Sequence, residues 1–414
     1  MTGFRGPGGG TRPALARCVA LPATRFAAVH WGRMPLLSRA AELGGSGFTD
    51  LLSPDDVDEL LSRRGLRTPF LRVAKDGHVV APGRYTGSGG AGAEIGDQVL
   101  DERILALYAD GATLVLQGLH RMWPPLIDFA NDLGDQLGQP LQVNAYLTPS
   151  GNQGFATHYD THDVFVLQVD GRKHWRVHEP VVHDPLERQP WGGHADEVAA
   201  VAEGPPVLDA VLSPGDALYL PRGWLHSASA EGVRSLHLTV GVRALTRYSI
   251  VEALLAMAAD EPALRGGLPF GLDVADADQI APELTETVKA LRDWLDTAAP
   301  AAVADLLRAR AWPAARPAPI RPLRQAATID ALGLDTRVAP RPGLRWQLVP
   351  EGTDRVALRV FDRTLSLPGE CAIAVRALLS GGVSRVGDLP GLEADEDRLL
   401  LARRLLRESI LTPA

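Results

Sequence analysis

The chain has 414 residues, more than one hydrophobic core usually serves, so we expect two or three structural units. Hydrophobic residues make up 45% of the chain and charged residues 22%, and no apolar run reaches the roughly 18 to 20 residues of a membrane helix. The net charge of −8 gives no reason to expect nucleic-acid binding, and Cys18 and Cys371 are too few for a thiolate zinc cluster or a disulfide framework. We therefore expect a cytoplasmic protein without membrane or direct nucleic-acid contacts, in which any metal is held by histidine and carboxylate.

Residues 1–25 are predicted to form a flexible N-terminal tail. Six arginines and no acid occur in the first 41 residues, a composition that is also found in organelle transit peptides. The glycine run "GPGGG" favours the flexible tail, and no signal-peptide apolar core follows it. The first folded domain is expected to start at residue 26, with "FAAVHWGRMPLL".

The folded region begins with a short helix and continues as strands. "SPDDVDELLSRRG" at 53–65 has a Ser N-cap, a first-turn Pro, early acids and a closing Gly, which predicts a helix. The glycine-rich stretch at 87–96 lacks the Lys-Ser/Thr of a phosphate-binding loop and is interpreted as a linker. From about 111 to 245, short strand patterns separated by turns predict a β-sandwich or barrel, interrupted by one helix at 125–138.

Helical patterns replace the strands after residue 245. Apolar residues at helical spacing predict a helical unit at 246–312, and the proline-rich segment 313–324 is typical of a linker. Two strand patterns followed by two amphipathic helices then predict a small winged-helix-like domain at 325–414.

Side chains alternate along a strand, so the two faces of a predicted strand can be read from the sequence. In "LQVNAYLT" at 141–148, Asn144 and Tyr146 lie on the polar face. This face either meets water or lines a polar cavity, and the pattern alone favours water.

A two-residue hairpin is predicted at Asp170-Gly171, between "VFVLQV" and "KHWRVH". Beyond that turn Lys173 shares a face with Trp175 and Val177. The lysine either extends to solvent or lines a dry cavity, where it would need an anion to offset its desolvation.

Six candidate metal ligands crowd into "FATHYDTHDVFVLQVDGRKHWRVH" at 155–178. His158 and Asp160 fall on one face of an extended segment, and His226 follows a turn further along the chain. Two histidines and a carboxylate form the facial triad of non-haem Fe(II) oxygenases, although this spacing alone is weak support.

The motifs "NAYLTP", "THYDTHDVFVLQVDGRKHWRVH" and "SPGDALYLPRGWLHSA" together closely resemble the bacterial ribosomal-oxygenase-like branch of the JmjC/cupin family. Members of that family are Fe(II)- and 2-oxoglutarate-dependent protein hydroxylases. The resemblance implies a mainly β fold, with a double-stranded β-helix (cupin or jelly-roll) core at 26–245. It also implies that 246–312 is a dimerisation unit and that the protein forms a homodimer.

The same resemblance implies roles for individual residues. His158, Asp160 and His226 would hold Fe(II), Lys173 would bind the distal carboxylate of 2-oxoglutarate, and Asn144 and Tyr146 would lie beside the cosubstrate. Four further residues are candidates for the same pocket: His162, Asp163, His237 and Thr239. His174 and His178 are expected on the outer face of their strand.

The expected function is hydroxylation of an amino-acid side chain in a protein, with consumption of O₂ and release of succinate and CO₂. A ribosomal protein is the substrate that the resemblance implies. Three alternatives remain: the same chemistry on a peptide natural product or small molecule, demethylation of N-methyl-lysine, and a non-catalytic metal-binding cupin that acts as a regulator.

Overall fold

The computed structural model describes residues 13–75, 77–152 and 156–414. Contacts between residues divide the chain into two compact units, Met1–Ala244 and Leu245–Ala414. No helix in the described part of the chain is both long and apolar enough to cross a membrane.

The first unit contains helices mainly before the long strands. Its helices are α1 (Ala14–Cys18), α2 (Ala23–Val29), α3 (Pro54–Arg63), α4 (Asp101–Ala109), α5 (Pro124–Leu137) and α6 (Ala195–Ala202). Its strands are β1 (Leu36–Ser38), β2 (Leu71–Lys75), β3 (His78–Val79), β4 (Thr86–Gly87), β5 (Gln98–Val99), β6 (Thr113–Leu116), β7 (Leu141–Thr148), β8 (Asp163–His178), β9 (Leu208–Leu212), β10 (Ala217–Leu220) and β11 (Leu225–Val242).

Nine of these strands form one antiparallel sheet. Its order is β1-β10-β8-β11-β7-β6-β2-β3, and β9 pairs with the second half of β8. The prediction of a mainly β first unit is confirmed.

The central strands are apolar on both faces because both faces are covered. Phe165 and Leu167 of β8 belong to a core that also contains residues of α1 to α5, whereas Val164 and Val166 belong to a second cluster with Trp175. Burying a large apolar side chain stabilises the fold by about 1.5–3 kcal/mol. Packing on both faces therefore holds β8 rigidly, which matters because β8 carries Lys173.

The predicted hairpin at Asp170-Gly171 is wrong, because β8 runs through these residues as a single strand. Gly171 has a φ of +65°, but its neighbour Asp170 is not among the residues with positive φ, which a type I′ turn would require. A β-bulge occupies this place: the register with β11 shifts between Ala230 and Ser235, where β11 has extra residues opposite Arg172.

A second register shift, between Leu236 and His237, leaves Val169 of β8 without an opposite residue and so changes which residues of β8 face the interior. Before it the even-numbered Val164 and Val166 line the interior cluster, and after it the odd-numbered Trp175 and Val177 do. Lys173 shares the face of Trp175, as predicted, but the reason is a bulge and not a reversal of the chain.

The N-terminal region is more ordered than the sequence predicts. Residues 1–12 of the expected flexible tail lie outside the described residues, but α1 follows directly, with Ala14 and Cys18 buried. The backbone N–H of Ala14 donates to Asp132 of α5 at 2.8 Å, which anchors α1. The predicted tail is therefore wrong from residue 14 onward.

The helix predictions in the first unit are otherwise mixed. Helix α3 is confirmed with its capping box, in which Ser53 and Asp56 each accept a hydrogen bond from the other's backbone N–H. Helix α5 is confirmed and ends at Gly138, whose φ is +67°. Helices α4 and α6 were not predicted.

The second unit begins with three helices, α7 (Arg247–Ala258), α8 (Ala277–Leu295) and α9 (Pro300–Ala314). The predicted linker at 313–324 is shortened at both ends, because α9 continues to Ala314 and the next helix starts at Pro322. Pro322 occupies the first helical position, where its missing N–H costs little.

The remainder of the second unit has its own buried core. It consists of α10 (Pro322–Asp330), β12 (Arg337–Pro340), β13 (Trp346–Glu351), β14 (Arg355–Val360), β15 (Arg363–Pro368), α11 (Ala372–Ser380), β16 (Ser384–Arg385), α12 (Asp395–Arg407) and β17 (Leu411–Pro413). The strands form two antiparallel sheets, β13-β14-β15 and β16-β12-β17. A winged-helix-like classification of this region stays a prediction.

Candidate metal centre and adjoining cavity

Backbone pairing brings His158, Asp160 and His226 together. His158 and His226 form an isolated antiparallel bridge, in which each backbone N–H donates to the other's carbonyl oxygen, at 3.2 and 2.8 Å. One ligand atom from each of the three side chains lies within 4.8 Å of the other two. The grouping predicted from the sequence is therefore present in the structure.

Both imidazoles of this triad are oriented by backbone carbonyls. The Nδ1 of His158 lies 2.7 Å from the carbonyl of Ala156, and the Nδ1 of His226 lies 3.0 Å from that of Trp224. Because a carbonyl oxygen only accepts, each Nδ1 donates to its carbonyl, and Nε2 is the ring nitrogen that remains for a metal ion. Both Nε2 atoms are thus ready to bind a metal ion.

The charge states of the triad also suit a cation. Burial raises the pKa of Asp160, but His226, His162, His158 and Arg72 outweigh burial and leave this pKa below its usual value. Burial, with a smaller contribution from His158, lowers the pKa of His226 to about 4. At neutral pH the site therefore presents a carboxylate and a neutral imidazole, the forms that bind metals.

A cavity of about 250 Å³ adjoins the triad and reaches Lys173. Lys173 is only 3% exposed, which excludes the alternative that its side chain extends to solvent. Its Nζ donates to the Thr148 hydroxyl at 2.9 Å, and Thr113 donates to the same oxygen at 3.1 Å. On the polar face of β7, Tyr146 accordingly lines the cavity and Thr148 contacts Lys173.

Burial lowers the pKa of Lys173 to about 7. Among the described residues none forms an ion pair with Lys173, and its printed polar contact is the neutral Thr148 hydroxyl. A buried cation of this kind is stabilised by an anion that enters the cavity.

Aromatic rings form the wall between the triad and Lys173. The ring of Trp175 lies 6.0 Å from that of His226 and 5.5 Å from that of His237, and His237 stacks on Tyr146 at 5.0 Å. Burial raises the pKa of Tyr146 to about 12, and Arg72 opposes this increase. Tyr146, His237 and Thr239 line the cavity.

Three predicted pocket residues are absent from the cavity lining. The side-chain oxygen of Asn144 accepts from the N–H of Gly118 at 3.1 Å, and the ring of His162 contacts Gln142 at 3.0 Å. The Asp163 carboxylate accepts from the Tyr219 hydroxyl at 3.0 Å and from a backbone N–H at 2.9 Å. The Asp163 side chain therefore links β8 to β10 and to the turn after β10, and it does not line the cavity.

The two histidines expected on the outer face behave differently from each other. His174 is partly exposed and pairs with Asp209, as an outer-face residue would. His178 is only 3% exposed, so its predicted surface position is wrong.

Several cavity residues were not predicted from the sequence. Arg72 of β2 and the partly exposed Trp191 both line the cavity, as do Thr113 and Ser227. No local pattern marks them, because they come from strands and turns far apart in the chain. The position of Thr148 on the polar face of β7 is a pattern that could have indicated its contact with Lys173, but the sequence analysis gives it no role.

The chain is similar to a family model, to curated relatives and to solved structures. The family model described as JmjC domain matches residues 128–250. These residues are a JmjC domain. They include His158, Asp160, Lys173 and His226, so the candidate metal centre and the buried lysine belong to the JmjC domain itself.

Two curated relatives match a wider region around the JmjC domain. Ribosomal oxygenase 1 of Gallus gallus is 32% identical over 288 residues, which cover 66% of this chain and 46% of the relative. The bifunctional lysine-specific demethylase and histidyl-hydroxylase NO66 of Aedes aegypti is 30% identical over 301 residues, which cover 66% and 43%. The chain thus spans less than half the length of these relatives.

A solved structure matches the fold along most of the chain. The Escherichia coli ribosomal oxygenase YcfD is 19% identical, with a TM-score of 0.55 over 95% of this chain and 98% of that one. A second structure of YcfD is a complex with cobalt and 2-oxoglutarate, with a TM-score of 0.53 over 94% of this chain. The predicted JmjC/cupin-like fold is confirmed.

Proposed function

We propose that this protein is an Fe(II)- and 2-oxoglutarate-dependent oxygenase that hydroxylates an amino-acid side chain of a ribosomal protein. The observation that carries the proposal is one cavity with the His158, Asp160, His226 triad at one side and the buried Lys173 at another. A non-catalytic metal-binding protein requires the triad, but metal binding does not require a buried lysine without an ion-pair partner beside it.

The donor set fits Fe(II). Two imidazole nitrogens and one carboxylate oxygen, as in this triad, are the ligands of the facial triad in non-haem Fe(II) oxygenases, which leave coordination positions open. The Nδ1 hydrogen bonds to Ala156 and Trp224 fix the direction of both Nε2 atoms before a metal binds.

The cavity fits 2-oxoglutarate. A dicarboxylate that reaches from the triad to Lys173 would place its distal carboxylate on the ammonium group, as a charge-assisted hydrogen bond. Thr148 would orient Lys173 for this contact, and Val164, Val166 and Leu220 would exclude water from the methylene groups. When bound, the iron and 2-oxoglutarate would supply oxidative decarboxylation with O₂, which yields succinate, CO₂ and an oxidant for a C–H bond.

The cavity mouth is suited to a side chain from another protein. Trp191 is 37% exposed, and its ring lies 6.3 Å from that of His158. An exposed indole beside the metal centre offers a flat surface on which a planar or cationic side chain can stack. The names of the curated relatives support a ribosomal protein as the substrate.

A direct test is turnover of 2-oxoglutarate by the Fe(II)-loaded protein with purified ribosomal proteins. Intact-mass spectrometry should find one ribosomal protein heavier by the mass of one oxygen atom, and Lys173→Ala should abolish both turnover and the mass increase. No turnover, together with no effect of Lys173→Ala on 2-oxoglutarate binding, would contradict the enzyme proposal.

The same experiment separates the alternatives. Turnover with no modified ribosomal protein would favour a peptide natural product or small molecule as the substrate. Loss of a methyl group from a methylated lysine would favour demethylation, an activity for which the NO66 relative of Aedes aegypti is named.

A homodimer and a cytoplasmic location remain predictions. Helix α8 has no buried residue in the single chain, and apolar side chains on α7 and α8 are exposed, including Val251, Leu255 and Leu284. Apolar faces of this kind are typical of subunit interfaces. Light scattering of the purified protein, which gives its mass in solution, would test the dimer.

A further inference from the structure

A turn at residues 221–224 joins β10 to β11 and lies two residues before His226. The residue before the turn is opposite Val164, at the beginning of β8, whereas the residue after it is opposite His178, at the end of β8. This turn therefore carries the chain from one end of β8 to the other. The position of His226 depends on how the turn is held.

The 221–224 turn is hydrogen-bonded to two members of the triad. The carbonyl oxygen of Trp224 lies 3.0 Å from Nδ1 of His226, which donates to it. The backbone N–H of Gly223 donates to the carbonyl oxygen of Asp160 at 3.0 Å. A displacement of the turn would therefore move the imidazole of one ligand and the backbone of another.

A buried carboxylate holds the turn from one side. Asp163 is 1% exposed, and its Oδ1 accepts from the backbone N–H of Arg222 at 2.9 Å. Its Oδ2 accepts from the hydroxyl of Tyr219 at 3.0 Å, and the oxygen of that hydroxyl accepts from the N–H of Gly32 at 2.8 Å. One oxygen of the carboxylate is thus anchored to β10, and the other holds the turn.

The segment 182–185 holds the turn from another side. The guanidinium of Arg222 forms an ion pair with Asp184 at 2.9 Å, and only 14% of the Arg222 side chain is exposed. A Cβ at Gly223 would lie 2.5 Å from the carbonyl oxygen of Val182, so this segment packs directly against the turn. The turn is therefore fixed by two separate parts of the chain.

We infer that Asp163 is a positioning residue of the metal centre. Its carboxylate fixes the 221–224 turn, and this turn orients His226 and Asp160. The inference rests on the proposed function and extends it to a residue outside both the triad and the cavity lining. Without the carboxylate, the N–H of Arg222 loses its acceptor and the turn shifts. Groups that orient metal ligands in this way contribute about 10- to 100-fold to metal affinity.

The test compares the two hydrogen bonds of the same carboxylate. Asp163→Ala removes both, whereas Tyr219→Phe removes only the bond to β10 and leaves the acceptor for the turn in place. Calorimetry gives the affinity of each full-length variant for Mn(II) without 2-oxoglutarate. Asp163→Ala should bind Mn(II) about tenfold or more weakly than the wild type, and Tyr219→Phe should stay close to the wild type.

A spectrum separates positioning from a general loss of stability. The visible absorption of bound Co(II) reports the geometry of its ligands, so at saturating Co(II) it should change in Asp163→Ala. Tyr219→Phe also loses a buried hydrogen bond and is the matched destabilised control, and its spectrum should equal that of the wild type. Asp163→Asn keeps one oxygen for the Arg222 N–H and should retain most of the Mn(II) affinity.

Arg222→Met provides a second measurement if Asp163→Ala does not fold. It keeps the backbone N–H but removes the ion pair with Asp184, and so loosens the turn from its other side. Its Mn(II) affinity should also fall below that of Tyr219→Phe, and no difference between these two variants would then overturn the inference.

The outcomes distinguish the inference from the proposed function. Wild-type Mn(II) affinity in Asp163→Ala, an equal loss in Tyr219→Phe, or a loss with an unchanged Co(II) spectrum would each overturn the inference. Turnover of 2-oxoglutarate by the wild type tests the function separately and would stand. A wild-type protein that binds no Mn(II) would overturn both.

Discussion

The backbones of His158 and His226 are hydrogen-bonded to each other in both directions, at 3.2 and 2.8 Å, although 67 residues separate them along the chain. This pair lies where the segment before β8 meets the start of β11, and it places the two imidazole rings 4.5 Å apart. The metal centre is thus built on strand pairing, so its geometry depends on the register of the sheet.

Replacing the carboxylate of the triad should weaken metal binding. Asp160→Asn keeps the shape of the side chain but removes its negative charge, and we expect Mn(II) affinity to fall by at least about 100-fold, with loss of 2-oxoglutarate turnover. Calorimetric titration with Mn(II) measures the affinity. His162→Gln is the control, because His162 lies near Asp160 but outside the triad, and its variant should retain affinity close to that of the wild type.

Binding of 2-oxoglutarate should weaken as the pH rises above 7. The pKa of Lys173 is about 7 in the free protein, and a bound carboxylate raises it, so binding above this pH takes up a proton. Below pH 7 Lys173 is already protonated and contributes no pH dependence. Above pH 7 the affinity should fall by up to about tenfold per pH unit.

Calorimetry with saturating Mn(II) in two buffers of different ionisation heat gives the proton uptake directly. Close to one proton per 2-oxoglutarate is expected at about pH 8.5, and none at about pH 6. Lys173→Met should show no uptake at either pH. Equal affinity at both pH values in the wild type would show that the Lys173 ammonium does not bind the distal carboxylate.

Substitution at the bulge should destabilise the first unit. A Cβ at Gly171 would lie 1.7 Å from the carbonyl oxygen of Arg234, and the φ of +65° is unfavourable for any other residue. Gly171→Ala should therefore lower the free energy of unfolding by about 3 kcal/mol or more. Gly232→Ala, in the same bulge with a φ of +71° and no atom within 4 Å, should cost only about 1 kcal/mol. Urea denaturation measures both, and equal losses would exclude the close contact as the cause.

Removing the indole at the cavity mouth should affect the protein substrate and not the cosubstrate. Trp191→Ala should raise the KM for the modified ribosomal protein by about tenfold, because an aromatic contact contributes about 0.5–1.5 kcal/mol beyond its buried area. The affinity for 2-oxoglutarate should change little, since the ring of Trp191 lies beside that of His158 and the distal carboxylate is expected at Lys173. Trp191→Phe should restore most of the activity. A KM that is unchanged in Trp191→Ala would mean that the substrate approaches elsewhere.

Local patterns predicted much of the fold. The capping residues of α3 and the glycine after α5 mark those helices correctly, because capping depends on neighbours in the sequence. The hairpin prediction at Asp170-Gly171 is wrong for the opposite reason: the dipeptide suits a type I′ turn locally, but pairing of both halves of β8 with β11 keeps the strand extended. Long-range pairing outweighed local turn preference.

The same distinction explains the errors about individual side chains. His178 follows the alternation predicted for an outer face, yet it is buried, because tertiary packing and not alternation decides which faces of a strand are covered. Asn144 shares a strand face with Tyr146, but the N–H of Gly118 holds its side chain outside the cavity lining.

By itself, the sequence determined which chemical groups are available: two histidines and an aspartate in a recognisable pattern, a lysine on an apolar strand face, and no thiolate cluster. Only the tertiary structure decided that Lys173 is buried, with no ion-pair partner in the part of the chain that the structure describes, and that Arg72, Trp175, Trp191 and His237 line the same cavity. The physical reason is that side-chain identity is local, whereas burial and hydrogen-bond satisfaction depend on residues that meet only when distant strands pair.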